Sequence, residues 1–233
     1  KLVGARVKAS RYIIIGGGGF GLELLTYLQG DIKSGALPAD TGIALLNDSE
    51  QCEVLTCVPG LRYLGAPGEF VAEPGDEALI AIGNPVHRKR LSALIRAREI
   101  PLGRYIHPTA WVAANARLGA GVILCPNVVV SAFATIGDNV AVNVFGGVGH
   151  GATVGAHTVM GPYSVINGDC VLGEGCLLGT RVTLFPKVHL GRGCSVDTHT
   201  AVRRSASDFT IISVKRQDQE AHDRITAREL DRT

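Results

Sequence analysis

The sequence predicts two architectures in series: a small Rossmann-like α/β unit, then a parallel β-helix built from six-residue repeats. Three observations carry this prediction. An apolar residue recurs at every sixth position from Val112 to Val202 without a break. Near the N-terminus, a β-branched run leads through GGGGFG into a helical pattern. Glycine makes up 30 of the 233 residues while aromatics are only 5%, a balance suited to repeated tight turns rather than to a ring-filled core.

The repeat is the stronger signal. Val112, Leu118, Leu124, Val130, Ile136, Val142, Val148, Val154, Met160, Ile166, Leu172, Leu178, Leu184, Leu190, Val196 and Val202 stand six apart, and all sixteen are aliphatic or Met. Four residues after each, the side chain is mostly small or β-branched, as at Ala116, Val122, Ala134, Ala152, Ser164 and Cys176. Each hexad supplies one short strand and one turn, and three hexads close a triangular coil, so sixteen hexads make about five coils. The large apolar residue fills the prism, and a bulky residue at the fourth offset would overfill it. Gly or Asn is expected at the turns that need unusual backbone angles. A β-sandwich would show period two instead. With no insertion in the count, no loop leaves the prism between Val112 and Val202.

The α/β unit is read over 11–100, after a tail at 1–10. Tyr12–Ile15 forms the first strand, and Gly16, Gly18 and Gly21 satisfy G-x-G-x-x-G. A helix is expected from about Leu22 to Gln29. Gly42–Leu46 reads as a second strand ending at Asn47 and Asp48, and Ala78–Ile82 as a third ending at Gly83–Asn84. Val86–Arg98 reads as an amphipathic helix with Arg88, Lys89 and Arg90 on its polar side. Loop amides and a helix N-terminus suit a phosphate, while three strands are half of a dinucleotide fold. The β-helix is placed at 101–206. The tail at 207–233 offers a strand at Phe209–Val214 and a charged helix at Gln217–Arg232.

Composition narrows the function. A net charge of +2 gives no bulk basic field for nucleic acid or an anionic membrane. No apolar run approaches the ~18–20 residues of a membrane helix, and nothing at the N-terminus reads as a secretory signal. The six cysteines form no CxxC, which points to a reduced, cytoplasmic setting.

Several motifs together resemble the sugar O- and N-acetyltransferases of the sialic-acid and bacillosamine (NeuD/PglD-like) type, in the hexapeptide-repeat acyltransferase superfamily. GGGGFG is similar to that family's G-x-G-G-H-G, with Phe20 in place of His. IALLNDS places Asn47 and Asp48 at its paired acidic positions. AIGNPVHRKR looks like that family's A-I-G-x-N-x-x-R element, and IHPTA is similar to the I-H-P-S-A that opens its coils. The resemblance implies a left-handed β-helix that forms homotrimers, with acetyl-CoA as co-substrate and no metal. It implies a nucleotide-sugar held by Gly16, Gly17, Gly18, Gly19, Phe20, Gly21, Asn47, Asp48 and Asn84. It also implies a general base at His150, seven residues after Asn143, and acyl-CoA contacts from Asn143, Gly149, His157 and Gly168.

The chemistry fits these residue types: a neutral imidazole can take the proton of an attacking amine, and backbone N–H groups can hold the oxyanion. The departures are specific. Gly151 follows His150 where the family has an acid, Val159 stands at the second His position, and the terminal G-x-P-A-K is missing. Coils repeat every eighteen residues, so Asp169 lies over position 151 and is the candidate replacement carboxylate. Transfer to an amine rather than a hydroxyl is a family-level expectation. Two alternatives stand beside it. One is a catalytically weakened trimeric scaffold or sugar-nucleotide-binding protein. The other is a γ-type carbonic anhydrase with zinc ligands drawn from His150, His157, His189 and His199.

Overall fold

The structure, a computed structural model, describes residues 10–213. The expected helix at 217–232 lies outside them. Contacts divide the chain into two units. The first contains the residues up to Ile82 together with Leu91–Arg104, and the second contains Gly83–Arg90 and the residues from Tyr105 onward.

In the first unit the order is β1 (Arg11–Ile15), α1 (Gly19–Ser34), β2 (Gly42–Leu46), α2 (Glu53–Cys57), β3 (Arg62–Tyr63) and β4 (Asp76–Ile80). All four strands are parallel, in the order β3-β2-β1-β4. After Arg11 the β1 run is buried without a break, because both faces of a parallel sheet are covered. Ile13 and Ile15 join Leu46, Ala78 and Ile80 in one cluster, while Ile14, Leu45 and Leu79 are buried on the other face. α1 runs a full turn beyond its expected end and stops at Gly35, whose φ of 78° suits glycine and whose N–H caps Ile32 O. The start of β1 is tied to that of β4 by Arg11, which donates from Nε and Nη2 to the two Asp76 carboxylate oxygens, each at 2.7 Å. Burial pushes the Asp76 carboxyl up, but the Arg11 hydrogen bond, the Glu73 N–H and the charges of Arg11 and Arg62 together outweigh it and leave the pKa below the usual range.

α3 (Pro85–Ala97) starts in the second unit and ends in the first. The sequence placed Arg88 on its polar side, and the structure corrects this: Arg88 is fully buried.

The second unit is a column of two-residue strands, from Tyr105–Ile106 to Ile211–Ile212, in three parallel sheets of seven, six and five strands. We call the sheet holding Tyr105 the first face, that holding Trp111 the second, and that holding Arg117 the third. Pairing advances by eighteen residues, as in Ala141↔Val159, Gly147↔Val165 and Thr153↔Val171. From Leu124 to Val202 every sixth residue is buried, and only Val112 and Leu118, in the first coil, are half-buried. The fourth-offset residues line the interior too, and the hydroxyls of Thr158 and Ser164 are hydrogen-bonded there, whereas the buried Thr200 hydroxyl has no partner among the described residues. Ser164 Oγ donates to Gly179 O at 2.5 Å and accepts from Val182 N–H at 3.3 Å. The last step, Ser195↔Ile211, is two residues short of the period and supplies the strand expected after Phe209.

The turns differ from expectation in a telling way. From Leu124 to Val196 the residue three after each buried apolar position has positive φ, and many of these are not Gly or Asn: Phe133, Phe145, His157, Tyr163, Asp169, Arg181 and Lys187 all lie between 57° and 64°. Such a conformation costs roughly 1–2 kcal/mol. It is held by coil stacking, since each of these N–H groups can reach back to the preceding coil: Phe145 N–H donates to Pro126 O at 3.0 Å and Tyr163 N–H to Val144 O at 2.9 Å. The residue just before it makes no N–H bond to a backbone oxygen of a neighbouring coil, so Pro126, Pro162 and Pro186 are accommodated there. No helix among the described residues is long and apolar enough to cross a membrane.

Candidate active site

On the second face the outward positions alternate with the buried ones. Successive coils present Trp111, Val129, Gly147, Val165 and Thr183, each followed two residues on by Ala113, Ser131, Gly149, Asn167 and Phe185. The coil with two bare positions is the one that ends in His150. There the face opens into a groove of about 680 Å³, floored by Gly147 and Gly149 and bounded by Val129, Val165, Phe145 and His150. Gly168, Asp169 and Lys187 line it as well.

His150 is exposed at the edge between the second and third faces. Its ring lies directly on Gly168 of the next coil, where any Cβ would collide with Cε1 and Nε2. Gly168 is buried beneath the imidazole, and its N–H has no hydrogen-bond partner among the described residues. Asp169 donates its N–H to His150 O at 2.9 Å. Its Oδ1 lies where a Cβ on Gly151 would stand, so the carboxylate occupies the space that glycine leaves empty. It makes no hydrogen bond to the His150 ring. His150, Gly149, Gly168 and Asp169 are thus brought together.

Asn143 and His157 do not line this groove. Asn143, at the edge between the first and second faces, accepts Val144 N–H on Oδ1 at 2.6 Å. His157, at the edge between the third and first faces, belongs to a cluster that the sequence reading missed. Arg88 donates to Asn139 O from Nε at 3.0 Å and Nη2 at 2.9 Å, and from Nη2 to Asn139 Oδ1 at 2.8 Å. Asn139 Nδ2 returns a bond to Arg88 O and stands 3.0 Å from His157 Nδ1, both at the same length. With Oδ1 committed to Arg88, Nδ2 is the donor, and the network assigns His157 Nδ1 as the acceptor. Burial pulls the Arg88 pKa down to about 9, which still leaves the guanidinium charged at neutral pH. The A-I-G-x-N-x-x-R motif was the signal for Arg88; the amphipathic pattern around it was misleading.

In the first unit the glycine loop is shaped by contacts. Gly16 N–H donates to Leu46 O at 3.1 Å and Gly17 N–H to Asn47 Oδ1 at 3.0 Å. Gly21 packs so closely on Gly16 O that no side chain fits. Gly18 and Gly19 are exposed at the start of α1, Phe20 is half-buried, and the helix has no side-chain cap, which leaves its first N–H groups open. Both polar atoms of the Asn47 side chain are in use, since Nδ2 also donates to Ser49 O at 2.8 Å, so Asn47 fixes the loop. Asp48 is exposed. Asn84, counted with the second unit, caps α3 by accepting from Val86 N–H at 2.9 Å and His87 N–H at 3.2 Å.

All six cysteines are free thiols. Among the described residues no three His, Cys, Asp or Glu side chains gather to hold a metal ion within one chain.

No family model matches the chain, and no curated protein matches it in sequence. Solved structures do. The acetyltransferase domain of PglB from Neisseria gonorrhoeae FA1090, also solved with acetyl coenzyme A, superposes with a TM-score of 0.76 at 23% identity over 88% of this chain and 97% of that one. A single-residue variant of perosamine N-acetyltransferase from Caulobacter crescentus, solved with CoA and GDP-perosamine, gives 0.75 at 25% identity over 90% and 95%. WeeI from Acinetobacter baumannii AYE gives 0.74 at 20% identity over 86% and 94%. The chain therefore has the fold of these structures along nearly their whole length: a Rossmann-like parallel sheet followed by a left-handed β-helix.

Proposed function

We propose that this protein moves an acetyl group from acetyl-CoA to the amine of a nucleotide-linked amino sugar, within NeuD/PglD-like surface-polysaccharide or glycan synthesis. The observation that carries the reading is the His150 ring lying against Gly168 at the end of a groove floored by Gly147 and Gly149. An amine held beside the imidazole attacks the thioester carbon, and the amine proton goes to the ring. The carbonyl oxygen gains charge and is held by the Gly168 N–H, which needs no reorganisation. The C–S bond then breaks, and the leaving thiolate takes up the proton from His150. Asp169 is the carboxylate that steadies the charged ring from the next coil. The glycine loop and the open end of α1 hold the nucleotide diphosphate, with Asp48 contributing and Asn47 shaping the loop.

The two acyl-CoA-linked structures above support the donor, and GDP-perosamine in one of them supports the acceptor class. Asn143 and His157, away from the groove, would reach the donor only across subunits of the homotrimer that this reading includes. Free thiols throughout fit a cytoplasmic enzyme. The test is release of CoA thiol from acetyl-CoA in the presence of UDP-, GDP- and dTDP-linked amino sugars. Release that depends on one of these sugars and is lost in His150→Ala supports the proposal. Binding of a sugar nucleotide with no thiol released points to the scaffold instead.

A further inference from the structure

The glycines of the β-helix fall into two kinds. Most are imposed by the fold. At Gly149 a Cβ would come within 2.5 Å of the Asn167 carbonyl carbon and 2.6 Å of Gly168 N, and no side chain can enter. Gly147 is different. Its φ lies outside the positive range, and a Cβ there would meet only the Val165 methyls, at 3.3 Å, a contact that a small shift relieves. The equivalent places in the coils on either side carry Val129 and Val165. Stacking therefore accepts a β-branched residue at this register, and the missing side chain at 147 calls for another reason.

What its absence creates is a notch. The floor is the Gly147 backbone, the walls are the half-exposed Val129 and Val165, and the far end is closed by Phe145, which is 47% exposed. The other end is His150 over Gly168. At roughly 3.3 Å per residue, the run from 147 to 150 is about 10 Å. Polar side chains gather at the His150 end, where Ser131 and Asn167 stand, and the Phe145 end has only Asn127 at its rim. A sugar hydroxyl or an amide placed along the valine walls would lose water without gaining a partner, whereas hydrocarbon would not.

We propose that Gly147 sets acyl-group size, and that the notch takes the alkyl tail of an acyl-CoA longer than acetyl, such as butanoyl or hexanoyl. This rests on the acyl-transfer reading above. With the amine at His150 and the thioester oxygen at Gly168 N–H, the acyl substituent extends along the floor toward Phe145. The transfer itself is unchanged: the same C–S bond breaks and the same C–N bond forms.

The test compares the dissociation constants of acetyl-, butanoyl- and hexanoyl-CoA by calorimetry, alongside thiol release with GDP-perosamine and the other nucleotide amino sugars. The wild type should bind butanoyl-CoA at least as tightly as acetyl-CoA. Gly147→Val should shift the ratio of longer-chain to acetyl binding by about tenfold or more toward acetyl, the scale of one or two methylenes in an apolar pocket. Gly147→Ala should move it in the same direction by less, and covers the case in which the valine variant fails to fold. A wild type that binds butanoyl-CoA more than about tenfold more weakly than acetyl-CoA, or a ratio that the substitutions leave unmoved, overturns the notch. If acetyl transfer proceeds normally in that case, only this inference falls. If no thioester binds, the acyl-transfer reading falls with it.

Discussion

Two histidine-bearing edges of the same column are finished differently. At the edge between the third and first faces, His157, Asn139 and Arg88 close a network in which Asn139 alone bonds to both of the others. At the edge between the second and third faces, the His150 ring lies against Gly168, and among the described residues neither the ring nor the nearby Asp169 carboxylate makes a side-chain hydrogen bond. Both edges are built from the same hexad. Stability is therefore concentrated at one edge, while the polar groups at the other are left for something that is not part of the chain. Unused hydrogen-bonding capacity inside a rigid, repetitive frame is a better guide to chemistry than the presence of a histidine.

The comparison breaks if the two edges respond alike to substitution. His150→Ala should lower turnover by about 10²–10⁴-fold, the usual contribution of a positioned base, and thermal melting should barely move. Arg88→Met should do the reverse in kind. It leaves Asn139 O and Oδ1 buried without their donor, at about 1–3 kcal/mol each, and urea unfolding should show a loss near 3 kcal/mol. Because Arg88 and Asn139 share one network, adding Asn139→Ala should cost much less than the two single effects combined. The glycines sharpen the contrast further. Gly149→Ala forces a Cβ onto backbone and should cost about 1–3 kcal/mol, while Gly147→Ala should cost less than about 1 kcal/mol. Equal losses would mean that the groove floor is set by folding alone.

The β-helix was legible because each hexad satisfies its rules locally: an apolar residue in, a small residue four later, and a turn that hands the chain to the next face. That also made the stacking of Asp169 over Gly151 readable from an offset of eighteen. The first unit was less legible. β3 has two residues and α2 has five, too short for either period to show. Arg88 escaped because its partner Asn139 lies 51 positions away in sequence and a charged residue beside Lys89 and Arg90 reads as surface. The occupied state of Asn47 was also invisible: residue type suggested a ligand contact, and only the geometry shows both amide atoms committed to the loop. The identity of the turn residues was misjudged for the same reason, since positive φ at Phe145 or Tyr163 is enforced by the neighbouring coil.

The smallest effect falls on Asp169, and it decides how complete the open edge is. The carboxylate fills the space beside Gly151 yet makes no hydrogen bond to the His150 ring. If it steadies the imidazole only once the ring is charged, Asp169→Asn should lower kcat on the order of tenfold, well short of the loss seen when a directly bonded triad aspartate is replaced. KM for the thioester should change little, because the ring and Gly168 stay in place. Gly151→Ala offers an independent check, since its Cβ would push the carboxylate aside and should reproduce the kcat loss without removing the charge. Wild-type kcat in both variants would leave His150 working without a carboxylate.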